Sequence, residues 1–120
     1  MKISVKNEYG QLKSVIVGSV NNMEWPSDDA EFNRSIDRST FPGTLTRGQL
    51  PDSVRAEATE DLEQLVSILE DKGIEVYRPL THKPHWAYSA RDILLTVGDM
   101  IIQCPTPFRS RASESELYPF

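Results

Sequence analysis

Cysteine is almost absent: Cys104 is the only one in 120 residues, which excludes an internal disulfide framework and a cysteine-rich metal centre. Long apolar runs are missing too. Nothing approaches the ~20 consecutive apolar residues of a membrane span, and the N-terminus from Met1 to Glu8 carries charge where a secretion signal has an apolar core. The chain also has no basic excess. Thirteen Lys and Arg against eighteen Asp and Glu give a net charge of -5, and no run of like charge exceeds two residues. Such a surface offers no stripe for the phosphate contacts that dominate nucleic-acid affinity. The expectation is a cytoplasmic protein with neither nucleic acid nor membrane as a partner.

What is present is ordinary for a soluble globular chain, with 38% apolar and 26% charged residues. A chain of this length buries one core, so residues 1–120 are read as a single domain. Lys13 to Gly18 is a β-branched apolar run closed by glycine, which suits a strand covered on both faces. From 19 to 51 the pattern dissolves into Asn, Pro, Gly and Asp, which predicts a long irregular loop, with Trp25, Phe32, Ile36 and Phe41 available to pin it down.

Periodicity then returns. Val54, Ala58, Leu62, Leu65, Val66 and Leu69 form one stripe of a helix, with Asp52 or Ser53 as its cap and Lys72 and Gly73 at its end. Ile74 to Arg78 alternates and stops at Pro79, which makes a strand–loop–helix–strand unit with parallel strands. Ile93 to Val97 and Met100 to Gln103 flank Gly98 and Asp99, the pattern of a β-hairpin. The fold class expected from these elements is mixed α/β.

Three blocks carry a resemblance. The segment from Tyr88 to Pro105 (Tyr-Ser-Ala-Arg-Asp-Ile-Leu-Leu-Thr-Val-Gly-Asp-Met-Ile-Ile-Gln-Cys-Pro) continues through Phe108-Arg109-Ser110-Arg111 to Glu114. The other two run from Asn7 to Gly18 and from the helix through Gly73 to Pro79. In order and spacing they resemble the N-terminal portion of the glycine and inosamine-phosphate amidinotransferases, of the pentein superfamily. Such a resemblance implies a propeller-like ring of repeated ββαβ units, of which this chain supplies about one unit plus a hairpin, an incomplete propeller. It further implies amidino transfer from arginine to an amine. The family's nucleophilic Cys, its His with an acidic partner and its guanidinium clamp have no counterpart here, so the chain is expected to be catalytically incomplete alone.

By the same resemblance Asp92 faces the substrate, with Arg91, Arg109 and Arg111 as further candidates for binding a guanidino or carboxylate small molecule. Each has a plainer reading. Asp92 can hydrogen-bond the loop before its strand, and the arginines can pair with Asp99, Glu114 or Glu116. Gln103 stands where the family commonly has an acidic residue. Cys104, at the end of an apolar strand, reads as a core cysteine, and His82 and His85, separated by Pro84, lack the partners of a metal site. No cofactor or metal motif is present. An incomplete ring leaves sheet edges uncovered, so a homo-oligomer or a complementing chain is the expected partner, and the alternative function is a non-catalytic module that self-associates or binds a small ligand.

Overall fold

The computed structural model describes residues 3–7, 9–37 and 47–119. β1 (Ser14–Ile16) lies parallel to β4 (Glu75–Tyr77), with Val15 opposite Val76, and the connection between them runs through the long helix α2 (Asp52–Asp71). The parallel unit read from the sequence is therefore present. β-alternation in this segment decides the packing: Val15 and Val17 turn to one side and Ile16 to the other. On the first side Val17, Val20, Met23 and Leu62 form a buried cluster with Ala58, Val66, Leu69 and Val76 against it. On the second, Ile16 packs on a cluster of Ala87, Ala90, Ile93, Leu117 and Tyr118. β1 is thus the wall shared by two small cores, which accounts for its run of apolar residues.

The helical stripe is narrower than its sequence pattern. Leu62 is buried, whereas Val54 and Leu65 stay about half exposed, because a two-stranded sheet is too narrow to cover every apolar position of a 20-residue helix. The start of α2 also differs from expectation. Pro51 occupies the cap position and no side chain caps the first turn, so neither Asp52 nor Ser53 performs that role; the Pro51 carbonyl accepts the first intrahelical bond, from the Arg55 N–H at 3.0 Å. The end is as the sequence predicts. Gly73 adopts φ +73, its N–H donates to the Glu70 carbonyl at 2.8 Å, and the Ile74 N–H donates to Leu69 at 3.0 Å. This pair of bonds is a Schellman closure.

Within 19–51, expected to be irregular, the chain forms regular structure. Helix α1 (Ala30–Asp37) follows a two-residue strand β2 (Glu24–Trp25), which pairs antiparallel with β3 (Gly48–Gln49). Asp29 supplies the missing start signal: its Oδ1 accepts the N–H groups of Glu31 and Phe32 at 3.1 and 3.0 Å. A short helix whose apolar residues are only Ala30, Phe32 and Ile36 leaves little periodicity to detect. Trp25 and Phe32 do anchor the segment, while Phe41 lies outside the described residues.

The hairpin is β5 (Leu94–Val97) and β6 (Met100–Gln103), in the register Leu95 to Ile102 and Val97 to Met100. Val5 and Gly98 exchange both backbone hydrogen bonds at 2.7 and 2.9 Å, tying the N-terminal segment to the hairpin turn. Short 3-10 turns at Ala90–Asp92, Arg109–Arg111 and Glu114–Leu117 complete the fold. Among the described residues no helix is long and apolar enough to cross a membrane.

Candidate functional site

Three backbone crossings bring the site together. The Ser19 N–H donates to the Ala87 carbonyl at 3.0 Å, the His85 N–H to Asn22 at 3.2 Å, and the Glu24 N–H to His85 at 3.1 Å. They lay 85–88 beside 18–24. Gly18 is where the two segments come nearest, for a Cβ there would stand 1.9 Å from the Tyr88 carbonyl oxygen.

Asp92 and Arg111 meet at this junction. Arg111 Nη1 donates to Asp92 Oδ2 at 3.0 Å. The rest of the guanidinium grips Glu114, with Nε donating at 3.1 and 3.0 Å to its two oxygens and Nη2 donating to Oε2 at 2.9 Å. Glu114, only 2% exposed, also accepts the Trp86 N–H at 3.0 Å. Burial raises the Glu114 carboxyl above its ordinary range against the pull of Arg111 and Trp86. Burial opposes the charge on Arg111 too, but its bonds to Glu114 and Asp92 outweigh it and raise the guanidinium's pKa. A fixed fork of this kind orients Asp92, whose side chain is 42% exposed and presents a carboxylate to solvent.

The other two arginines are not drawn in. Arg91 and Arg109 are exposed and make no ion pair among the described residues. Pairing of Arg111 with Glu114 is as expected, whereas Glu116 pairs with Lys83 at 2.6 Å instead. Cys104 is half-buried and belongs to neither buried cluster, which corrects the reading of it as a core cysteine. Cys104 follows the last residue of β6, in a hairpin whose Leu95, Val97, Met100 and Ile102 are exposed, so its place at the strand end does not enclose it.

Two features escaped the sequence reading. The first is Asp29, 5% exposed, whose Oδ2 accepts both the N–H and the hydroxyl of Ser110 at 2.8 and 2.7 Å. It clamps the start of α1 to the turn that carries Arg111. Burial pushes its carboxyl up, but the bonds from Ser110, Phe32 and Glu31 prevail and hold it below the ordinary value of 3.8. The Ser27-Asp28-Asp29 run just before Ala30 was the available signal. Asp29→Ala is expected to cost about 2 to 4 kcal/mol in urea denaturation, as a lost cap plus buried donors left unpaired. Because the folded pKa is depressed, the Asp29 contribution is complete above the unfolded value and is lost as pH falls through the folded one. Asp29→Asn is therefore expected to flatten the loss of stability below about pH 4 relative to the parent.

The second is a cavity of about 480 Å³ beside this cluster, walled by Trp25, Phe32, Trp86 and Phe108, with His85 and Arg111 also in its lining. His85 is 6% exposed. Burial is the first cause that lowers its pKa, assisted by His82 and Lys83 against the Asn21 carbonyl. Among the described residues no group of three or more His, Cys, Asp or Glu is arranged to hold a metal.

No family profile matches the sequence. Individual proteins do. Inosamine-phosphate amidinotransferase 1 of Streptomyces griseus is 34% identical over 97% of this chain, and mitochondrial glycine amidinotransferase of Xenopus tropicalis is 30% identical over 93%. The solved structure of the Streptomyces griseus inosamine-phosphate enzyme superposes on 98% of this chain with a TM-score of 0.82 at 32% identity. SxtG, an amidinotransferase of the saxitoxin pathway from Microseira wollei, does so over 97% with a TM-score of 0.75 at 30% identity. The chain spans 38% of the length of the Streptomyces protein and 30% of the Xenopus one.

Proposed function

This chain belongs to the amidinotransferase family, corresponding to its N-terminal portion, and from that premise we propose that it supplies one wall of a guanidinium site rather than a complete catalyst. The observation that carries the reading is the Asp92–Arg111–Glu114 array. An exposed carboxylate, fixed from behind by a buried bidentate pair, is pre-organised to meet a guanidinium such as that of arginine. Amidino transfer then requires an activated thiolate to attack the guanidinium carbon and a base to manage the protons. Cys104 and His85 line separate depressions and do not form such a couple. Arg91 and Arg109, exposed near the same junction, are available to a substrate carboxylate.

The test is an assay for ornithine release from L-arginine in the presence of glycine or hydroxylamine. The 120-residue chain alone is expected to give none. Turnover that survives purification and disappears in Cys104→Ser would overturn this reading.

A second reading, self-association, is favoured by the hairpin. Leu95, Val97, Met100 and Ile102 are each more than two-fifths exposed, and the register sets them opposite one another in pairs on one face of β5 and β6. An apolar face of this kind draws in another chain. Light scattering on a sizing column over a hundredfold concentration range is expected to find a homo-oligomer that Val97→Lys dissociates; a monomer throughout counts against it.

A further inference from the structure

The aromatic cavity takes no part in the reading above. Its volume, about 480 Å³, suits a small organic molecule. Trp25 lies 4.2 Å from Trp86 and 5.3 Å from Phe32, which lies 5.9 Å from Phe108, at interplanar angles of 66°, 48° and 80°. Rings set at such angles make a bent wall rather than a stack. Aromatic faces carry the negative end of a quadrupole and attract organic cations.

The charges around the cavity point the same way. Glu24 stands in the lining, and its side chain makes no hydrogen bond or ion pair among the described residues. Arg111 is also in the lining, but Asp92 and Glu114 already oppose it, and Asp29 lies directly behind Ser110. Lys83, the other cation near His85, is paired with Glu116. Two carboxylates thus neutralise Arg111, while Glu24 in the lining and Asp29 behind Ser110 add negative charge near the cavity, a field that favours a positive guest.

The third observation concerns His85. Its Nδ1 accepts the Ala87 N–H at 2.8 Å, so the proton of the neutral ring sits on Nε2. Among the described residues that atom is buried without a hydrogen-bond partner, and burial lowers the pKa of the ring although the Asn21 backbone favours its protonated form, so His85 sets no charge against a cation.

We infer that this cavity binds a small alkylammonium ion, held by the aromatic wall and Glu24. Choline is the simplest probe of that chemistry. Both tryptophans of the chain, Trp25 and Trp86, lie in the wall, so intrinsic fluorescence of the whole 120-residue protein reports occupancy directly. At constant ionic strength choline is expected to give a saturable change, and its uncharged carbon isostere to bind at least about tenfold more weakly. Tetramethylammonium, the same cationic head without the hydroxyl, is expected to bind within about threefold of choline. Glu24→Gln, with its fold checked by circular dichroism, is expected to weaken choline by about tenfold. No saturable change with choline, equal binding of the uncharged isostere, or an unaltered affinity in Glu24→Gln would each overturn the inference.

Discussion

Gly18→Ala is expected to destabilise the protein by roughly 3 kcal/mol or more, at the upper end of what an overpacked site costs. The new methyl carbon would stand 1.9 Å from the Tyr88 carbonyl oxygen, 2.4 Å from its carbon and 2.6 Å from the Ala87 oxygen. All three are backbone atoms, so no side chain can rotate aside, and the two segments must separate. Separation lengthens the Ser19 to Ala87 hydrogen bond of 3.0 Å and opens both cores, since Val17 belongs to one and Ala87 to the other. Urea denaturation gives the measurement. Gly73→Ala is the control, because its φ is +73 with nothing within 4 Å of the added carbon; it meets only backbone strain, about 1 to 2 kcal/mol. If Gly18→Ala is no worse than Gly73→Ala, the close approach does not constrain the fold.

Glu114→Ala carries the second large effect, about 3 to 5 kcal/mol. The carboxylate accepts from Arg111 and from the Trp86 N–H. Its removal leaves the guanidinium, whose side chain is 10% exposed, with Asp92 alone, and leaves a backbone donor unpaired. Glu114→Gln keeps an acceptor for Trp86 and is expected to cost less, about 1 to 3 kcal/mol. Arg111→Met combined with Glu114→Leu is expected to recover much of the loss, because the penalty lies in a charge stranded without its partner rather than in the net worth of the pair. A loss under about 1 kcal/mol in Glu114→Ala would show that water replaces the carboxylate freely. The same variants bear on Asp92, whose orientation depends on Arg111, so loss of guanidinium binding without unfolding would mark Glu114 as a positioning residue.

The elements legible in the sequence were those with strong local signals. α2 declared itself by its stripe and its Gly73 closure, the hairpin by two apolar runs around Gly98 and Asp99, and β1 by its β-branched run. α1 did not, because a helix of eight residues whose start is fixed by Asp29 holds too few apolar positions to display a period. The site divided in the same way. Asp92 and Arg111 were candidates through the Arg-Asp and Arg-Ser-Arg blocks; Arg111 alone of the three arginines stands three positions from Glu114, but the pattern did not show which of them reaches Asp92.

Family resemblance, mixed α/β class and the parallel unit were therefore determined by the sequence itself, since each follows from short-range pattern and spacing. Tertiary structure alone decided which arginine reaches Asp92 across 19 positions, that Asp29 reaches Ser110 across 81 positions, and that Trp25, Phe32, Trp86 and Phe108 wall one cavity. Those outcomes depend on contacts between segments far apart in the chain. Such contacts are selected by the summed packing of both cores rather than by the residues that make them.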